Sequence, residues 1–167
     1  MTLSAEDRLD ILDLIGRADQ LATRRDADAY ADLFTADAML DGTQGVHPAA
    51  ELRSAVGPIW AAEGPATLHL TLNPVIDPGA EPDEAVVSSN LLIVDPATPI
   101  TIRTAAAITQ TVRRTGRTWR ITRRTVAPAA GGAGAEGGAG GAGPAGGAGP
   151  AGATGGAGGE AGPSVPG

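Results

Sequence analysis

Apolar residues recur every three or four positions near the start of the chain. Leu9, Leu12, Ile15 and Ala22 share one line with Asp19, and Leu14, Ala18 and Leu21 widen it. That spacing predicts an amphipathic helix over 5–24. Ser4 and Asp7 stand three apart at its start, as a capping box requires. Asp26 opens a second, short helix, predicted over 27–34, with Tyr30, Leu33 and Phe34 on its buried side. Residues 37–41 read as a short strand, followed by a loop at Asp41, Gly42 and Gly45. A third helix is predicted over 48–62, with Pro48 in its first turn and Leu52, Val56, Ile59 and Trp60 facing inward. Gly57 and Pro58 should kink or divide it.

After residue 66 the period falls to two, and strands are predicted over 67–76, 84–94, 100–113 and 117–126. Asp, Pro and Gly fill the turn at 77–83, Asp95-Pro96 breaks the next connection, and Thr115-Gly116 signals a hairpin. Three helices and then a four-stranded meander, with one short strand early, make an α+β domain. On the first long strand, Leu68, Leu70 and Leu72 share one face, and Thr67, His69, Thr71, Asn73 and Val75 share the other. Neither face is charged, nor is either face of 84–94 between its ends. A sheet with one wet face alternates apolar with charged residues. Both faces are therefore expected to be covered, one by the helices and the other by a second copy of the chain. A homodimer through the sheet follows.

Composition divides the chain in two. Of its 25 glycines, 18 lie between Gly131 and Gly167, so 1–127 is read as the domain and 128–167 as a disordered Gly/Ala/Pro-rich tail. Glycine falls at every third position from Gly131 to Gly158, the collagen period, but Pro144 and Pro150 alone supply imino acids between those glycines. A flexible extension is the expectation. There is no cysteine, which removes disulfides and thiolate metal sites. Acidic residues interrupt the only apolar stretch near the N-terminus and no run is long enough to span a bilayer, so a cytoplasmic protein without a membrane partner is expected.

The net charge is −7, of which Glu136 and Glu160 lie in the tail. A phosphate backbone would be repelled, and four aromatic residues are too few for a base-stacking platform, so no nucleic-acid partner is expected. The basic cluster Arg113, Arg114, Arg117, Arg120, Arg123 and Arg124 reads as the solvent-facing side of a hairpin.

Two polar residues occupy positions where apolar ones belong. Asp19 lies on the stripe of the first helix, and His69 lies in mid-strand with Asn73 on its face. A carboxylate facing a buried imidazole can move protons, and these two are the candidate catalytic pair. Tyr30, Asp41, Trp60 and Asn73 are candidate substrate-binding residues, with Asp41 otherwise a turn residue and Tyr30 and Trp60 otherwise pocket wall. His47 reads as a helix cap before Pro48. The two histidines lack ligand-like spacing, so no metal is expected. No nucleotide-binding or nucleophile-elbow motif occurs, and no cofactor is expected.

The segments "DRLDILDLIGRADQLATRRDADAYADLFTADAML", "LHLTLNPVI" and "WRITRRTV" together resemble the SnoaL-like branch of the nuclear-transport-factor-2-like superfamily over residues 4 to 127. The resemblance implies a cone: a curved antiparallel sheet around a long helix, an apolar pocket at the open end, and dimerisation through the sheet. It also implies a small-molecule ligand and, in the enzymes of the branch, cyclase, isomerase or dehydratase chemistry. His69 and Asn73 match the family's mid-strand pair, while Ala18 and Thr23 replace the usual Tyr and Asp of its dehydratases. Asp19 would then have to substitute. The expected activity is acid/base chemistry on a hydrophobic, oxygenated small molecule; the alternative is a non-catalytic binding module of the same fold.

Overall fold

The computed structural model describes residues 2–129. The glycine-rich segment expected to be disordered, with its three-residue period, lies outside the described residues from 130 on. In chain order the elements are α1 (Ala5–Arg24), α2 (Ala27–Ala31), β1 (Phe34–Gly42), β2 (Gly45–Pro48), a 3-10 turn (Ala49–Glu51), α3 (Leu52–Glu63), β3 (Leu68–Pro78), β4 (Glu84–Asp95), β5 (Thr101–Thr115) and β6 (Thr118–Pro128). They form an α+β fold in which a curved, unclosed six-stranded sheet, ordered β2-β1-β6-β5-β4-β3, packs its inner face on the helices. The β1–β6 pair is parallel and all others are antiparallel, so the sheet is not purely antiparallel as expected. Among the described residues no helix is long and apolar enough to cross a membrane.

The capping box closes as the spacing predicts. Ser4 Oγ accepts from Asp7 N at 3.1 Å, and Asp7 Oδ2 accepts from Ser4 N at 3.1 Å. The buried side of α1 is rotated from the predicted stripe, however. Ile11, Leu14, Ile15, Ala18, Asp19 and Ala22 are buried, while Leu9 and Leu12 are 67% and 40% exposed. Apolar residues cover more than half the helix circumference here, so periodicity alone could not choose the side. Asp7 follows the buried side and meets Arg114 and the indole N–H of Trp119.

Three further expectations are corrected. The predicted second helix ends at Ala31, and Phe34 instead begins β1. The loop after Asp41 is a hairpin: Gly42 and Gly45 flank a two-residue turn, and Gly45 takes φ 124, a left-handed value that suits glycine. α3 runs through Pro58 undivided.

Helix α1 lies antiparallel along β3, an edge strand, and supplies acceptors for its outward N–H groups. Thr71 N donates to Asp19 Oδ2 at 2.6 Å and His69 N to Thr23 Oγ1 at 3.0 Å, while Arg8 Nη1 reaches the carbonyl of Ile76 at 2.9 Å. The spacing is why this works. Four helical residues rise about 6 Å and two strand residues about 6.7 Å, so Asp19 and Thr23 meet Thr71 and His69 in step. The open edge is thereby covered.

The core falls into two clusters. One joins α1, α2, α3 and β1 to the inner face of the sheet through residues such as Ile11, Phe34, Leu52 and Ile121; the other is Leu91, Ile93, Ala106 and Ile108. The outer face of β3 carries Leu68, Leu70 and Leu72, all exposed.

Candidate functional site

Between the two clusters lies a cavity of about 150 Å³. Its apolar wall comes from Ala22, Leu40, Val56, Ile59, Trp60, Leu91, Ile93 and Val126; its polar groups are Tyr30, His47, Glu63, His69, Thr104 and Arg124. The exposed turn Thr43–Gln44 stands at its rim. Tyr30, on α2, is buried and braced by Trp60 edge-on at 5.3 Å and by Phe34 at 5.2 Å.

His69 projects inward from β3 and is 6% exposed. Its carboxylate partner is Glu63, with Nε2 3.0 Å from Oε2, and not Asp19 as the sequence suggested. The approach is out of line with the ring N–H, so the two groups are close without a formed hydrogen bond. Glu63 is itself fixed by Arg25, whose Nη1 donates to Oε2 at 3.2 Å. Arg25 follows α1 in the left-handed region, φ 62, where a side chain is disfavoured. Its guanidinium also holds the Ala22 carbonyl, the Gly64 carbonyl at 2.9 Å and Thr67 Oγ1 at 2.5 Å. A chain Arg25–Glu63–His69 thus runs from the helix end to the cavity.

Asp19, 7% exposed, serves another purpose. One oxygen takes the Thr71 N–H, and the other faces Arg124 Nη2 at 3.9 Å. Asp19 does not line the cavity, and neither do Asp41 and Asn73. Asp41 faces Arg123 in an exposed pair at 3.4 Å. Asn73 is exposed, with φ 54, at a bulge where the β3–β4 register shifts between Leu72 and Val75; the bulge takes it off the face of His69. Tyr30 and Trp60 do line the cavity as expected, and so does His47, which β2 carries back over Leu40 instead of capping a helix.

Arg124, expected on the wet side of the hairpin, is 5% exposed. Opposite Thr111 and Val112 on β5, β6 offers Arg123 and Ile121, so Thr122 is the extra residue of a bulge. Its Oγ1 donates to the Thr111 carbonyl at 3.1 Å. The bulge exchanges the faces, sending Arg123 out and Arg124 in. Among the described residues no three His, Cys, Asp or Glu side chains gather as a metal would require.

Burial pushes the Tyr30 phenol above its ordinary 10.0; Arg124 pulls it back, and Asp19 and Glu63 raise it. A raised folded value means the neutral phenol contributes stability below the unfolded value, lost as pH rises through the folded one. Tyr30 is the chain's single tyrosine, so ultraviolet tyrosinate absorbance reports it alone. The native titration should lag behind that of the urea-unfolded chain, and superimposed curves would put Tyr30 in water.

A family model for a SnoaL-like domain matches residues 3–125. Among solved structures, a Nostoc punctiforme protein of unknown function with a cystatin-like fold is 25% identical, with a TM-score of 0.68 over 75% of this chain and 93% of that one. An NTF2-like protein with a cystatin-like fold from Novosphingobium aromaticivorans is 24% identical, with a TM-score of 0.65 over 77% of this chain and 85% of that one. ActVI-ORFA from Streptomyces coelicolor is 14% identical, with a TM-score of 0.67 over 75% of this chain and 97% of that one. The last two are likenesses of fold alone. A search of the curated proteins found no match.

Proposed function

The chain belongs to the SnoaL-like domain family, and we propose that it is a cofactor-independent acid/base enzyme acting on a hydrophobic, oxygenated small molecule in this cavity. The observation that carries the reading is the buried His69 imidazole, 3.0 Å from the Glu63 carboxylate, on a largely apolar wall. His69 would take a proton from carbon next to a carbonyl, or deliver one to a leaving hydroxyl. Glu63, held by Arg25, would stabilise the imidazolium as it forms. Tyr30, kept neutral by burial, would donate to the oxygen on which charge develops. Compared with the pair drawn from sequence, Glu63 takes the place of Asp19, and Asn73 drops out. A cytoplasmic location and a homodimer through the sheet belong to the same proposal.

Exchange of α-protons for deuterium in cyclohexanone, followed by NMR in heavy water, tests this without knowledge of the natural substrate. Exchange should exceed the buffer rate, fall to it in His69→Ala, and slow in Glu63→Gln with the circular dichroism unchanged. A wild-type rate equal to buffer, or one that His69→Ala leaves intact, overturns the reading.

One observation favours a non-catalytic binding module instead. Ala18 is wholly buried in the core, and the Thr23 hydroxyl is taken by the backbone of His69. Neither position that carries an acid or a phenol in the family's dehydratases can act here. Ligand binding without exchange is the result that reading requires.

A further inference from the structure

We infer that Arg124 holds the ligand's oxygen, and that the ligand is an uncharged carbonyl compound of a single ring. The inference rests on the reading above in taking this cavity as the ligand site, and it names what the site accepts.

Burying a guanidinium carries a desolvation penalty that its partners must recover. The partners of Arg124 recover little. It has five N–H donors, yet among the described residues its one hydrogen bond runs from Nη1 to Gln110 Oε1 at 3.3 Å. Asp19, at 3.9 Å, lies beyond hydrogen-bonding range. None of its nitrogens is both sealed from solvent and without a partner, so the unused N–H groups open onto the cavity that Arg124 lines. An acceptor oxygen on the ligand fits that vacancy in its bonding.

Charge narrows the acceptor. Asp19 offsets Arg124, and Glu63 offsets Arg25, so the wall is balanced when His69 is neutral. A carboxylate ligand would add a third negative charge beside the buried Asp19 and the half-buried Glu63. A carbonyl oxygen brings none, and gains from the guanidinium as negative charge develops on it. Size narrows the rest. At about 150 Å³ the cavity has the volume that takes one benzene-sized molecule. A single ring fills that volume, and a fused two-ring ketone would have to extend past the Thr43–Gln44 rim.

Binding of four probes, read by ligand-observed NMR, tests both parts: cyclohexanone, methylcyclohexane, cyclohexanecarboxylate and the two-ring ketone decalone. Cyclohexanone should bind at least about tenfold more tightly than each of the others, the ratio expected for one hydrogen bond to a charged group. In Asp19→Asn/Arg124→Met, which removes both charges and so strands neither, the advantage over methylcyclohexane should vanish while methylcyclohexane still binds. Should that variant not fold, Arg124→Lys keeps the charge but loses the fork, and the advantage should shrink.

A preference that survives loss of Arg124 places the oxygen elsewhere. Tighter binding of the carboxylate, equal binding of decalone, or no binding of any probe overturns the assignment. Arg124-dependent ketone binding without proton exchange would sink the acid/base reading and leave this one standing. Exchange with ketone binding indifferent to Arg124 would do the reverse.

Discussion

Arg124→Met should destabilise the domain by about 3–5 kcal/mol, a large share of the roughly 5–15 kcal/mol that holds a domain of this size together. The loss comes less from the contact removed than from the charge left behind. Asp19 lies under the sheet with Oδ2 on the Thr71 N–H, while Oδ1 has no hydrogen-bond partner among the described residues. Arg124 is the cation beside it. Without that guanidinium a carboxylate stays in a low-dielectric interior with one donor. Methionine preserves the apolar stem of the arginine, so a cavity contributes little to the effect. Asp19→Asn in the Arg124→Met background should recover much of the loss, because it removes the stranded charge and keeps an acceptor for Thr71. Urea denaturation of the four proteins of this double-mutant cycle measures both effects. A single variant within about 1 kcal/mol of wild type, or no recovery in the double variant, would show that Asp19 does not depend on Arg124.

That pair also shows where the sequence was legible and where it was not. The strands, the capping box and the apolar outer face follow from period and cap chemistry, which are local. Site residues failed where the period is interrupted. Trp119 and Ile121 point inward at odd positions, but Val126 continues the wall at an even one. That switch requires an extra residue between them, and reading it would have turned Arg124 inward. Likewise His69 and Thr71 face in at odd positions and Ile76 at an even one, with Asn73-Pro74 as the interruption.

Glu63 carried a different signal. It closes α3, where the helix dipole disfavours a negative charge. A carboxylate kept there calls for a cation or a function, and the structure supplies Arg25 and His69. The mistaken pairing of Asp19 with His69 had no local remedy. Both residues face the helix–sheet interface, but which helical residue meets which strand residue depends on tertiary register. The antiparallel run of α1 along β3 sets Asp19 against Thr71 and gives His69's backbone to Thr23.

Leu70→Asp should turn a dimer into a monomer. The outer face of β3, β4 and β5 continues laterally from Leu70 through Leu92 to Ala105, and from Leu68 through Val94 to Ile102, with Leu70 itself 40% exposed. Leu68, Leu72 and Ile102 lie as open as Leu70, an apolar patch of the kind that marks an interaction site. Pairing two copies through a twofold axis buries Leu70 twice. At about 2 kcal/mol for each leucine removed from water, the substitution forfeits about 4 kcal/mol before the cost of two carboxylates in an apolar seam is added. The dissociation constant should therefore rise by at least about a thousandfold. Light scattering at micromolar concentration should give a dimer for the wild type and a monomer for Leu70→Asp, with unchanged circular dichroism because the residue is already exposed in the single chain. Leu9→Asp, on the exposed side of α1, introduces the same charge away from the sheet and should remain a dimer. A monomeric wild type, or a dimer that tolerates Leu70→Asp, would mean that the apolar outer face is not where two copies meet.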